Sequence, residues 1–456
     1  MKMKARKVLI RVLITLLIVV TAALVVRAVF NFTEGRKLAR TLADLKGRGI
    51  PLSLADLASP CPEADNAARL WKAAEELLAF DKNDALVINE ANQAFICGNP
   101  FATGQAEAVS RLIEKNRQAI QLVLEAAGKP CFQYGDMKVN AVMKELPKAI
   151  EMIRASRLIV FDAVFAAERG DVEGALGRLG AGFRFASKTT DQGPLIMGLV
   201  AIAEQKLFLY GLGRVAQERA IETGLLLSAL QGFEPGLWKE TLSKSVRGER
   251  VFYLDAGRIL IRGSRDQQVL VGKTFVDEKL TRGYSAAGLL LLWLGRPLIK
   301  HDLIRGLLRY EEVEAQARRP FYETKEFREK YEREIRAFPW HAILSRLAVP
   351  EMSAALLKQS TLEALALTAR TGLACKIYKN QNGRYPDDLA DLVPGILPEV
   401  PVDPFTGKPL IYRLEGAGFI VYSLGSNEKD DGGRMTYKIT QVISEKDDDW
   451  TWRETK

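Results

Sequence analysis

The 456-residue sequence contains few of the residues that metal sites and nucleophilic active sites need. It has two histidines and four cysteines, and no cysteines in the CxxC spacing. Because structural zinc needs clustered histidine and thiolate ligands, the composition excludes such a site. The sequence also lacks GxSxG and HExxH, and has no GxGxxG after a strand-like segment. We therefore identify no catalytic residue from sequence motifs.

Long runs of like charge are also missing. Lys and Arg total 65 against 56 for Asp and Glu, which gives a formal net charge of +9. A basic surface can bind nucleic acid, anionic lipid or an acidic polymer. No run of five basic residues and no nucleic-acid-binding motif is present. We interpret the excess as a mildly basic solvated surface and expect no nucleic-acid partner.

One long hydrophobic run lies near the N-terminus. Residues 12–26 carry no charge, and with their flanks (residues 8–32) they are long enough to cross a bilayer. Five basic residues precede the run, which favours a cytoplasmic N-terminus. We predict that residues 1–32 are a head and single-pass anchor in a bacterial inner membrane, with a periplasmic body. The alternative is a signal peptide cleaved near residues 26–28.

Residues 33–349 are predicted to form a helical body. If the body consists of two units, the boundary between them lies near residue 235. Apolar residues recur at helical spacing over residues 144–232, and Gly170 marks a tight turn. These residues predict helical hairpins or, alternatively, tetratricopeptide repeats. The apolar run at residues 286–294 is too short to span a bilayer. We predict a buried helix there; the alternative is a second membrane contact.

The sequence pattern changes near residue 350. A long helix is predicted over residues 352–379, followed by short strand-like segments bounded by Gly, Pro or Asp. Asp403 and Pro404, with Gly407, predict a turn before the hairpin. The module is predicted to span residues 350–433 and to fold independently of the body. Residues 434–456 are predicted to be a charged tail, with 437–443 as an alternative edge strand.

This C-terminal region resembles the C-terminal half of the type II secretion pseudopilin G family. The residues that carry the resemblance are Tyr378, 382–386, Leu389, Leu392, 400–412, 422–427 and 430–433. The resemblance implies one long helix over a small antiparallel sheet. The pilin processing site is absent and some 320 residues separate anchor and module, so the chain is not a pilin subunit. As a whole it resembles a family of membrane-anchored bacterial envelope proteins with no assigned activity.

In the pseudopilin family the loop after the corresponding strand often binds calcium. The resemblance implies that Asp430 and Asp431, with Asn427 and the carbonyl of Leu424, would be the ligands. Calcium takes six to eight oxygen ligands, and paired carboxylates on a glycine-rich loop suit it. The alternative is that these residues form a turn without metal. Calcium is the one cofactor we consider.

Cys97 and Cys131 both lie beside loop signals, and an exported body would permit a disulfide between them. Alternatively, both are free buried thiols.

The fold class predicted is therefore mainly α, with a transmembrane helix, a body of helical hairpins and a small α+β pseudopilin-like module. We expect a non-enzymatic interaction or scaffold protein whose partners are the bilayer and an envelope protein. The alternative is an envelope hydrolase with an unrecognised carboxylate site. An apolar groove rimmed by Arg would favour the binding protein, whereas two close carboxylates with shifted pKa values in a cleft would favour the enzyme.

Overall fold

The computed structural model describes residues 2–455 except 97, 100, 103, 191–192, 218, 265, 269–270, 272–285, 340–341, 349–351 and 435–449. Helices account for 70% of the structure and strands for 5%. The prediction of a mainly helical protein with a small antiparallel sheet near the C-terminus is therefore confirmed.

The described helices are α1 (Lys2–Gly47), α2 (Leu54–Leu57), α3 (Ala67–Leu77), α4 (Lys82–Ile96), α5 (Gln105–Lys115), α6 (Arg117–Ala126), α7 (Ala149–Glu168), α8 (Val172–Lys188), α9 (Leu195–Ala216), α10 (Thr223–Gly232), α11 (Thr241–Arg262), α12 (Ala286–Gln316), α13 (Lys325–Arg336), α14 (Ile343–Ala348) and α15 (Met352–Asn382). The described strands are β1 (Ile411–Glu415), β2 (Gly418–Ser423) and β3 (Trp450–Glu454).

Two helices are long and apolar enough to cross a membrane, and their burial differs. The apolar residues of α1 project into solvent along residues 10–26, and none of its most apolar window is buried. The window in α9 is 78% buried inside the helical body, so α9 is a core helix. α1 is therefore the candidate membrane helix. Length and composition alone do not distinguish an anchor from a signal sequence.

The hairpin expected around Gly170 forms between α7 and α8. Gly170 adopts φ +94°, a left-handed conformation that glycine takes without steric cost. Asp171 caps α8, since its carboxylate accepts a hydrogen bond from the Gly174 N–H at 2.9 Å. Both helices pack on α9. Their apolar residues share one core with α15 and the sheet, so the C-terminal module and the body are packed together.

The C-terminal sheet has the order β1-β2-β3, with both pairs antiparallel. Tyr422 in β2 pairs with Ile411 on one side and with Thr451 on the other. The third strand comes from the segment predicted to be a charged tail, so that prediction is wrong for Trp450–Glu454. The alternative edge strand at 437–443 lies outside the described residues.

The disulfide in the structure joins Cys131 to Cys61, with the two Cα atoms 5.9 Å apart. The prediction paired Cys131 with the wrong partner. Cys97 lies outside the described residues. Residue 61 belongs to an irregular segment before α3, and the bond fastens this segment to the loop after α6. Cys375 is a buried free thiol.

The apolar run at residues 286–294 begins α12 and was predicted to be buried. Leu290 is 55% exposed, Trp293 37% and Leu294 42%. The prediction is therefore wrong for these three side chains.

Candidate partner-binding groove

A groove of about 390 Å³ lies between the helical body and the C-terminal module. Its walls come from four segments that are far apart in sequence: the link before α11, the link between α12 and α13, one face of α15, and the loop before β1. The lining residues are Pro235, Trp238, Lys239, Arg318, Arg319, Pro320, Tyr322, Glu363, Leu367, Arg370, Thr371, Leu397, Pro398, Glu399, Pro401, Val402 and Pro404.

One side of the groove is built where the α12–α13 link docks on the turn predicted at Asp403. The Tyr322 N–H donates to the Pro404 carbonyl at 3.1 Å. Phe321 packs edge-on against Phe405, with ring centres 5.1 Å apart. The Asp403 carboxylate in turn accepts hydrogen bonds from the Phe405 N–H and other donors, which fixes the turn. The two segments therefore hold each other in place.

The floor of the groove is held by Gln359 of α15. Its Nε2 donates to the Trp238 carbonyl at 2.8 Å and to Glu363 Oε1 at 3.1 Å. Burial raises the pKa of the Glu363 carboxyl from 4.5 to about 7, against the opposing effects of Gln359 and Lys239. Trp238 is fully buried, and its indole N–H has no hydrogen-bond partner among the described residues.

Four cationic side chains line the groove. Arg318 and Arg319 form ion pairs with Glu314 and Glu323 along the chain. Arg370 donates hydrogen bonds to the carbonyls of Leu230 and Phe233, and so caps the C-terminal end of α10.

Lys239 is exposed, and its ammonium lies 5.8 Å from the centre of the Trp238 ring. No ion pair joins Lys239 to a described carboxylate. Proline, leucine and aromatic residues make up most of the remaining wall. The groove is thus apolar with a positive rim, the arrangement that was expected to favour a binding protein.

The residues proposed for calcium lie together on the loop after β2. The Asp430 carboxylate accepts hydrogen bonds from the Tyr422 hydroxyl at 2.8 Å and from the Gly432 N–H. Asn427 donates its amide N–H to Asp431 and accepts one from the Lys429 N–H. Among the described residues, no group of three His, Cys, Asp or Glu side chains could hold a metal ion. Calcium binding remains a prediction.

The Leu424 backbone is also fixed at this loop, because its N–H donates to Asp403 at 2.9 Å. The carbonyl of Leu424 was the fourth proposed ligand. With an amide and a carbonyl added to two carboxylates, the protein would supply part of the six to eight oxygens that calcium takes.

Two carboxylates outside the groove, Asp302 and Glu314, have structural roles. Asp302 is buried and accepts hydrogen bonds from the Leu344 and Ser345 N–H groups, so it caps α14. Glu314 joins the Arg247 and Arg250 side chains at 2.7 and 2.6 Å.

A larger cavity of about 770 Å³ lies between α9 and β3. Two of its wall residues, Arg434 and Thr451, lie on either side of residues 435–449, which are outside the described part of the chain. Its walls are therefore described only in part.

The groove residues were not identified from the sequence. The one local signal is the density of proline in the loop before β1, where Pro398, Pro401 and Pro404 occur within seven residues. Compared with family models, with curated proteins and with solved structures, the chain gives no match.

Proposed function

We propose that this chain is a membrane-anchored envelope protein that binds a partner protein in the groove between its helical body and its pseudopilin-like C-terminal module. The observation that carries the proposal is the apolar groove with a positive rim. Its lining fits an extended segment with apolar side chains, and Lys239 at the rim favours an acidic group on that segment.

The disulfide supports the proposed location of the body. Disulfides persist in oxidising compartments and are rare in the cytosol. The bond between Cys61 and Cys131 fits a body on the periplasmic side of a bacterial inner membrane, tethered by α1. A long helix packed on an antiparallel sheet is also the arrangement that the pseudopilin resemblance implies for residues 350–433.

Site-specific photo-crosslinking in intact cells tests the proposal. A photoreactive amino acid is placed at Tyr322 or Val402, which line the groove and are 38% and 45% exposed. Matched control positions are Leu86 and Ile150, which are exposed elsewhere on the body at 61% and 65%. We expect one discrete adduct from the groove positions and none from the controls.

A substitution at Lys239 provides a second test of the same adduct. Lys239→Glu reverses the charge at the rim and should reduce the yield of the adduct. The binding function is contradicted if groove and control positions give the same pattern of adducts.

An envelope hydrolase is the second candidate, and Glu363 is the observation that favours it. A carboxyl with a pKa of about 7 in a groove has the proton affinity of a general acid or base, and Glu399 also lines the groove. This candidate predicts that the wild-type chain releases soluble fragments from purified envelope polymers and that Glu363→Gln does not.

Calcium binding is tested separately, by a calcium-dependent rise in melting temperature that Asp430→Ala removes.

A further inference from the structure

α12 meets α1 at the point where the apolar segment of α1 ends. Arg27 is the first charged residue after that segment. Its guanidinium lies 3.4 Å from the centre of the Trp293 ring and donates a hydrogen bond to the Trp293 carbonyl. Pro297 lies inside α12 and has no N–H, so the carbonyl four residues earlier lacks its usual helical donor. Arg27 satisfies this carbonyl and fixes the two helices together.

The two helices run parallel from this contact. Lys300 donates to Asn31 Oδ1 at 2.8 Å, and His301 Nδ1 lies 3.1 Å from Glu34 Oε2. Since these pairs follow Arg27 and Trp293 in the same order on both helices, the N-terminal end of α12 points along α1 towards its apolar segment.

A helix rises 1.5 Å per residue, so Leu290 lies about 4.5 Å nearer the apolar segment than Trp293. Leu290, Trp293 and Leu294 are all exposed, and we call them the apolar edge. Tryptophan is enriched at membrane–water interfaces, where an amphipathic ring lies at headgroup level. The composition of the apolar edge, and its position beside the end of the apolar segment of α1, are therefore those of a contact at the membrane–water interface.

A group of cations lies near this contact, and two of them, Arg296 and Lys300, are four residues apart on α12 and therefore neighbours on one face of that helix. Burial, and then the positive charges of Arg262, Arg296 and Arg27, lower the pKa of the Lys300 ammonium. We call these four residues the basic cluster. None of them forms an ion pair with a carboxylate in the part of the chain that the structure describes. The Nε atoms of Arg27 and Arg296 are buried without a hydrogen-bond partner there.

Like charges held together without an anion destabilise the fold, and buried guanidinium donors without acceptors add to that cost. An anion bound at the cluster would remove both penalties.

We propose that the basic cluster binds the phosphate of an anionic phospholipid, with the apolar edge inserted beside its acyl chains. A lipid fits better than free phosphate, because the cluster adjoins exposed apolar and aromatic side chains at the height where α1 leaves its apolar segment. The inference rests on α1 being the membrane anchor of the proposed function. The groove is not involved, so partner binding is a separate property.

Thermal unfolding of the full chain in a zwitterionic detergent tests the site. The probes are short-chain phosphatidylglycerol, short-chain phosphatidylcholine and inorganic phosphate, at matched ionic strength. We expect the melting temperature to rise with phosphatidylglycerol alone. Each Lys or Arg near an anionic membrane surface contributes roughly a fivefold change in affinity, so Arg296→Gln with Lys300→Gln should weaken lipid binding by roughly twenty-five-fold.

Arg36→Gln with Arg40→Gln is the matched control, since both residues are exposed cations of α1 outside the cluster. This pair should keep the full rise in melting temperature. An equal rise with phosphatidylcholine or phosphate, or an equal loss in the control pair, overturns the proposal.

Fluorescence provides a second measurement that needs no cluster variant. Brominated phosphatidylglycerol should quench wild-type tryptophan emission more than brominated phosphatidylcholine, and Trp293→Phe should remove the difference. Equal quenching by the two lipids overturns the proposal even if the cluster variant fails to fold. Alkaline extraction of membranes distinguishes failure of the lipid site from failure of the anchor. A chain that stays in the membrane but shows no lipid preference refutes the lipid site alone. A chain that is extracted refutes the anchor.

Discussion

Among single residues, Glu363 links the groove to the stability of the fold. Its pKa rises from 4.5 to about 7 because burial disfavours the charged form. The stabilising effect of holding this proton is fully present below pH 4.5 and is lost as pH rises through 7. Glu363 should therefore lower the free energy of unfolding by at most about 1.4 kcal/mol for each pH unit in that interval.

Glu363→Gln should make this decline shallower, because glutamine is neutral and still offers an acceptor oxygen to Gln359. Above pH 7 the variant should be more stable than the wild type. Denaturant unfolding across the interval measures the difference. Glu326→Gln, at an exposed position of α13, is the control and should follow the wild-type curve; a Glu363→Gln curve that also follows it would contradict the assignment.

Asp403 shows how far single residues could be predicted from the sequence. Asp403, Pro404 and Gly407 were predicted to form a turn, and they do, because turn chemistry depends on neighbouring residues. The contacts of the Asp403 carboxylate with Ser423 and the Leu424 N–H were not predictable, since they join residues about twenty positions apart. The same limit applies to the partner of Cys131, which depends on where a long irregular segment is placed.

At the scale of elements, β3 depends on one buried ion pair. Lys376 of α15 donates to Glu454 of β3 at 2.9 Å, and the side chains are only 7% and 3% exposed. Removing one partner of a buried pair leaves an uncompensated charge and costs about 3–5 kcal/mol. Lys376→Met alone should therefore destabilise the chain by that amount.

Replacing both partners, Lys376→Met with Glu454→Leu, should recover most of the loss, because no buried charge remains. Thermal and denaturant unfolding of the two single variants and the double variant gives the coupling energy. The exposed pair of Arg384 and Asp387 is the matched control, and its removal should leave the free energy of unfolding nearly unchanged. Additive effects of the two buried substitutions would show that the pair is not formed.

Elements with a clear local period were predictable, and those that depend on distant contacts were not. The α7–α8 hairpin follows from helical spacing and a single glycine turn. β3 was missed because charged residues dominate the tail. Trp452 of β3 packs so closely on Gly372 of α15 that a Cβ added at Gly372 would lie 2.4 Å from the indole ring. The groove was missed for the same physical reason, since its four walls meet only in the folded chain.

At the scale of the whole molecule, the continuity of α1 bears on whether the chain keeps its apolar segment. α1 runs unbroken to Gly47, and its second half packs on the body. Leu45 is fully buried in the cluster formed with α11 and α12, and Arg48 pairs with Glu311. Cleavage near residues 26–28 would cut this helix beside the Arg27 contact with Trp293. The anchor proposed above would keep this contact, and a cleaved signal sequence would lose it, so the two alternatives predict different mature chains.

We predict that the chain isolated from bacterial membranes retains residues 8–26 and resists alkaline extraction. Intact mass measurement checks the first expectation, and extraction followed by immunodetection checks the second.

A variant that lacks residues 2–26 should appear in the soluble fraction, because it keeps the packed half of α1 and loses the apolar half. A phosphatase reporter fused after Lys456 should be active, since the disulfide between Cys61 and Cys131 fits a body in an oxidising compartment. A soluble mature chain that begins near Arg27, or activity from a reporter that works only in the cytoplasm, would contradict the anchored topology.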